Sequence, residues 1–111
     1  MKRKSVGLAL AAILAASMGM SAMAADSYLV GFANNSDTYN YCAKFRTYLK
    51  EATEAEGIDI MVTDAGGDTN VQNGQIDDFI VQNANAVSAI SNDLDGSVPA
   101  LKAAKDAGIP Y

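Results

Sequence analysis

The chain has 111 residues, with 13 acidic and 8 basic side chains, no histidine and one cysteine, Cys42. Its formal net charge of −5 disfavours nucleic acid and anionic lipid as partners, because like charges repel. Without histidine, a zinc site, a Cys–His pair and a Ser–His–Asp triad all lack a needed group, and one cysteine forms no internal disulfide.

Lys2, Arg3 and Lys4 open the chain, an apolar run of 11 residues follows from Val6 to Ala16, and small residues lead to Ala22-Met23-Ala24. This is the order of a cleaved secretory signal peptide. The run falls short of the roughly 20 residues of a membrane-spanning helix. Residues 1–24 are therefore expected to be removed, leaving 25–111 as the mature part. No cysteine adjoins the cleavage site, so no lipid anchor is expected. The signal peptide holds three of the basic residues, so the other 87 residues carry five against 13 acids, a net of −8. That length suffices for one small, marginal core.

Tyr28 to Ala33 is a short apolar run rich in strand formers and predicts a buried strand. Asn34 to Thr38 is polar turn material. From Tyr39 the period changes to that of a helix, with Tyr41, Phe45, Tyr48, Leu49 and Ala52 on one face and Gly57 as its stop. Cys42 within it reads as a small core residue. Ile58 to Thr63 predicts a second strand. Asp68 or Thr69 caps a second helix, with Ile76, Phe79, Ile80 and Asn83 on one face. Its Asp77-Asp78 pair reads as a solvated surface, and Gly66-Gly67 as a tight turn without a phosphate-loop pattern. Ala86 to Ile90 predicts a third strand. Asp95 or Ser97 caps a third helix lined inwardly by Val98, Leu101 and Ala104. Gly108 ends it, and Ile109-Pro110-Tyr111 looks like the opening of a fourth strand.

The order β-α-β-α-β-α predicts an α/β fold with a doubly wound parallel sheet, most simply in strand order 2-1-3. Ligands of such sheets sit at the carboxyl ends of the strands. The loops there are residues 34–40, 64–69 and 91–96. The first is dense in amides and hydroxyls and leads to Tyr39 and Tyr41. Sugar recognition needs such groups, since hydroxyls both donate and accept and a sugar's C–H face packs on an aromatic ring. An ordinary polar turn with core tyrosines has the same composition. Ser91-Asn92-Asp93 is equally open to both readings.

Asp64-Ala65, Asp68, Gln72, Gln75-Ile76-Asp77-Asp78 and Ile80, followed by a strand, resemble the segment Asp-Ala-x-x-Asp-x-x-x-Gln-x-x-Gln-Ile-x-x-x-Ile of the type 1 periplasmic sugar-binding proteins. The ending Val98-Pro99-Ala100-Leu101-Lys102-Ala103-Ala104-Lys105-Asp106-Ala107-Gly108-Ile109-Pro110 is similar to their third helix and the start of their fourth strand. The resemblance spans Tyr28 to Tyr111. It implies two α/β lobes joined by a hinge and a monosaccharide, such as ribose or galactose, clamped between them. It also implies docking on an ABC transporter permease, signalling to a chemoreceptor in some members, no enzymatic activity and no cofactor or metal.

By the same resemblance Asn35, Tyr39 and Tyr41 fall where the family places sugar contacts, with Tyr41 at the stacking position. Many members carry Asn-Pro-Phe-Phe or Asp-Asn-Phe there, so Cys42 replaces a phenylalanine neighbour. The third loop usually reads Ser-Pro-x-Asp. Here it reads Ser91-Asn92-Asp93-Leu94-Asp95, and Ser91 or Asn92 is the expected contact, with Asp93 beside them. Complete members are more than twice as long. The 25–111 segment is thus expected to be a truncated, partial N-terminal lobe, and a half-cleft of this kind to bind sugar very weakly or not at all. Two other readings share the fold: the effector domain of a sugar-responsive regulator, and a small flavodoxin-like or receiver-like domain. The first needs a helix-turn-helix that residues 1–24 do not supply. A receiver needs clustered acids at the first strand end and a lysine near Ile90, and neither is present.

Overall fold

The computed structural model describes residues 27–111, so the expected signal peptide lies outside the described residues. Three strands and three helices alternate: β1 (Leu29–Asn34), α1 (Asn40–Ala55), β2 (Asp59–Asp64), α2 (Thr69–Val81), β3 (Ala86–Ala89) and α3 (Val98–Asp106). The sheet is parallel throughout and its order is β2-β1-β3, as the alternation predicts. Gly31 of the central strand lies between Met61 and Val87, and Ala33 between Thr63 and Ala89.

Side chains of β1 alternate between two faces, as the pleat requires. Gly31 and Ala33 face α2, where Ala33, Ile76, Phe79, Ala84, Val87, Ala100 and Ala104 form the buried core. Phe32 faces the other way and meets Phe45 of α1, ring centroids 5.5 Å apart. Helices therefore cover both faces of the sheet, with α3 packed beside α2. The core is built from small residues around Ile76 and Phe79.

All three helices end in the same way. Ile58, Ala84 and Ile109 donate back to the carbonyls of Thr53, Phe79 and Ala104, while Gly57, Asn83 and Gly108 donate to Glu54, Ile80 and Lys105. These paired bonds are Schellman motifs, which need a left-handed residue just past the helix. Gly57, Asn83 and Gly108 have φ of 70°, 59° and 71°. Asn83 is thus a helix terminator, not part of the inner face expected from its spacing. Asp68 caps α2, accepting from the amides of Asn70 and Val71 at 2.8 and 3.1 Å. At α3 the capping position is Ser97, whose hydroxyl instead donates to the carbonyl of Asp93.

Two helical faces differ from those the apolar residues predict. In α1 Phe45 and Leu49 of the predicted face do turn toward the sheet, joined by Cys42 and Thr53, while Tyr41 and Tyr48 are exposed. Cys42 is small and buried against the first loop, where its carbonyl accepts from Asn34. In α3, Ala100 and Ala104 are buried and Val98 and Leu101 exposed, because a close approach to α2 favours alanine. The last residues form no assigned strand. Even so, the Pro110 carbonyl accepts from Val87 at 2.9 Å, so they run along the free edge of β3.

Candidate functional site

Parallel pairing brings the ends of β1, β2 and β3 to one rim of the sheet, and the loops beyond them meet there. The first loop is fixed from below by Asn34, which is fully buried. Its Nδ2 donates to Asp37 Oδ1 at 2.6 Å and to the Cys42 carbonyl at 3.3 Å. Asp37 in turn forms an ion pair with Arg46 of α1, and its amide donates to Asp64 Oδ1 at the end of β2. The second loop turns at Gly66 and Gly67, and the Gly67 amide donates to the Asn35 carbonyl at 2.9 Å.

Asn35 then reaches across the rim. Its Nδ2 donates to the Ser91 carbonyl at 3.3 Å, joining the first loop to the third over 56 residues of sequence. The Ser91 hydroxyl donates to the Ser97 hydroxyl, which in turn donates to the Asp93 carbonyl. Asp93 Oδ1 accepts from the Gly96 amide, so Asp93 is committed to its own turn. Asn92 follows Ser91, and its backbone amide donates to Gln72 Oε1 at 3.2 Å.

Of the six residues singled out from sequence, the fold draws Asn35, Ser91 and Asn92 together. Tyr39 precedes α1 and Tyr41 lies in its first turn, both well exposed, and neither ring bonds to that trio. Tyr41 leans on Phe45 at a centroid distance of 6.1 Å. Among the described residues, Asn34 Oδ1, Asn35 Oδ1 and Asn92 Nδ2 are shielded and lack a hydrogen-bond partner. An unpaired buried polar atom costs about 1–3 kcal/mol.

Gln72 was quoted from the sequence without a role, and it is the most connected side chain of the rim. It is 2% exposed, and its Nε2 donates to the carbonyls of Ala33 at 3.1 Å and Ile90 at 2.8 Å. The signal for it was its spacing: Gln72 shares the inner face of α2 with Ile76 and Phe79, a polar residue in an apolar row. Gln75, one turn on, ties Thr63 and the Asp64 carbonyl in the same manner.

The rim is an open wall. A groove of about 540 Å³ runs along α1 between Asp37, Arg46, Lys50 and Glu54. No group of three or more metal-ligating side chains occurs among the described residues, and none of their helices is long and apolar enough to cross a membrane.

In parallel α/β sheets small ligands commonly sit at the rim formed by the strand ends. The chain belongs to the periplasmic binding protein domain family, whose model matches residues 30–111. It is similar to an ABC transporter solute-binding protein from Mycobacterium smegmatis with bound glycerol, at 28% identity and a TM-score of 0.73, covering 75% of this chain and 29% of that one. It is also similar to the periplasmic binding component of the arabinose ABC transporter from Shewanella sp. ANA-3, bound to α- and β-L-arabinofuranose. There the identity is 29% and the TM-score 0.70, over 74% of this chain and 27% of that one. A galactofuranose-binding protein matches at 28% identity and a TM-score of 0.71, over 74% and 28%. The chain thus spans less than a third of these relatives, all of them binding proteins. No curated protein sequence matches it.

Proposed function

We propose that this chain supplies one wall of a monosaccharide-binding cleft in the substrate-binding component of an ABC-type uptake system, exported to the periplasm. The observation that carries the reading is the meeting of Asn35 and the Ser91–Asn92 segment at the strand ends, with an amide acceptor and an amide donor left unpaired. A sugar hydroxyl donates and accepts at once, so it relieves both atoms when the side chains turn toward it. Tyr39 and Tyr41, exposed at the start of α1, offer rings for the C–H face of a sugar. Furanose forms are the first candidates, because two of the relatives named above bind them. An ABC permease is the partner proposed for the loaded cleft.

One wall buries less of a ligand than the 70–90% usual for small-molecule sites, so affinity is expected at millimolar or weaker. Millimolar binding is only about −4 kcal/mol. Titration of the 15N-labelled chain with L-arabinose and D-galactose tests this by NMR. Shifts confined to residues 34–41 and 91–93 are expected. Shifts elsewhere, or none at about 100 mM sugar, would overturn the reading, and micromolar affinity would overturn the one-wall account. Osmotic-shock fractionation of cells tests export, and retention in the cytoplasm would count against it.

A further inference from the structure

We propose that Gln72 is the positioning residue of this wall: through Ala33, Ile90 and Asn92 it sets where Asn92 stands relative to Asn35. The inference rests on the reading of the rim as a ligand wall, and it assigns a task to a side chain that touches no ligand.

The geometry leaves little freedom. Strands β1 and β3 pair through Ala33 and Ala89, and Ile90 adds one last bond to the Ala33 carbonyl at 3.3 Å. Beyond that point the two chains part, the first toward Asn35 and the second toward Ser91. The Gln72 amide sits in the fork. Its two N–H groups go to the carbonyls of Ala33 and Ile90, and its oxygen takes the Asn92 amide. The amide orientation is fixed by this set, since a flipped group would place its oxygen against two carbonyls. Gln72 is anchored below by its place on α2 beside Ile76 and Phe79, which are buried in the core. The third loop is therefore referenced to the core of the lobe.

No other side chain reproduces the set. Methionine matches the length but takes the Gln72 partner from the Ile90 carbonyl and the Asn92 amide, and leaves the Ala33 carbonyl with only the bond from Ile90. Glutamate keeps an acceptor for Asn92 but turns an anion toward two carbonyl oxygens. Gln75 is the natural control, because it makes a similar clasp on β2 but does not touch Asn92.

The test compares the wild-type 111-residue chain, Gln72→Met and Gln75→Ala by NMR, with and without L-arabinose. Hydrogen exchange at the Asn92 amide is expected to quicken about tenfold in Gln72→Met and stay unchanged in Gln75→Ala, the scale of one lost hydrogen bond. The sugar-induced shifts at Asn35 and Asn92 are expected to vanish in folded Gln72→Met and persist in Gln75→Ala. In the wild type, sugar is expected to slow exchange of the Gln72 side-chain amide, a group it does not touch. Folded Gln72→Met with unaltered Asn92 exchange and sugar response would overturn the inference. Should Gln72→Met not fold, an unchanged Gln72 side-chain exchange in sugar-bound wild type would overturn it. Should the wild type show no sugar response at all, the sugar reading fails by itself, and Asn92 exchange in the variants still decides the role of Gln72.

Discussion

Gly31 and Phe79 meet so closely that a Cβ built on Gly31 would lie 2.3 Å from Cγ of the Phe79 ring and 2.8 Å from its Cβ. The central strand has a glycine because α2 rests its largest core residue on that point. Ring and strand are both held: Phe79 is buried among Ile76 and Ala84, and Gly31 is paired on both sides. Gly31→Ala is therefore expected to cost about 1–3 kcal/mol by overpacking. Gly74 in α2 is the opposite case, with nothing within 4 Å of a Cβ. Gly74→Ala is expected to stabilise by about 0.5–1 kcal/mol, the helix preference of alanine over glycine. Urea denaturation of the two variants checks both signs, and a shared sign would contradict this account of the packing.

Asp68 carries the start of α2, and with it the two glutamines of the rim. Its carboxylate accepts from the amides of Asn70 and Val71. Asp68→Ala is expected to lower stability by about 1 kcal/mol, while Asp68→Asn stays close to wild type, since either side-chain oxygen caps. Thermal melts followed by circular dichroism distinguish the two. Equal losses would mean that charge, and not the capping bond, is what Asp68 supplies.

How far the sequence reached can be judged at single residues. The strands were placed within a residue of their positions, because short apolar runs between turn signals leave little choice. Gly57 and Gly108 were legible as helix stops, since glycine is the usual left-handed residue; Asn83 does the same work but asparagine also occurs within helices. The inner face of α1 was legible at Phe45 and Leu49 but not at Tyr41 and Tyr48, which are exposed while Cys42 is the residue that fits under the first loop. Asn35 and Asn92 were named by the family resemblance, on strand-end loops whose composition alone also fits an ordinary polar turn. Gln72 was given no role, because its partners lie 39, 18 and 20 residues away on two other elements. Bonds of that range are visible only once the sheet order is known.

Tyr111 gives the chain a pH dependence of known sign. Partial burial raises its phenol above the usual 10.0, and because the residue is still 43% exposed, solvent screening keeps the effect small. The folded chain holds the neutral form, so the stabilising contribution is complete below pH 10 and is lost as pH rises through the raised value. Tyr111 lines a shallow groove together with Leu101, Lys105 and Ile109. Tyr111→Phe is expected to remove this alkaline loss while leaving neutral-pH stability nearly unchanged. Urea midpoints measured across the alkaline range check it; a wild-type curve as flat as that of Tyr111→Phe would refute it.

The proposed ligand wall sets stability against binding at Asn92. Its side-chain Nδ2 is buried without a partner among the described residues, while its backbone amide is held by Gln72. Asn92→Ala deletes the unpaired donor and keeps the backbone bond. It is therefore expected to leave stability unchanged or raise it by about 1 kcal/mol, the relief of an unsatisfied buried group. Asn35→Ala differs, since it also removes the bond from Nδ2 to the Ser91 carbonyl and is expected to cost about 1 kcal/mol. Both variants are expected to abolish the sugar-induced NMR shifts of the third loop. A core polar residue that served folding alone would behave otherwise, losing stability when truncated. Urea denaturation and sugar titration on the same Asn92→Ala sample separate the two cases: a destabilised variant with an intact sugar response would make Asn92 a structural residue and move the ligand wall away from the third loop.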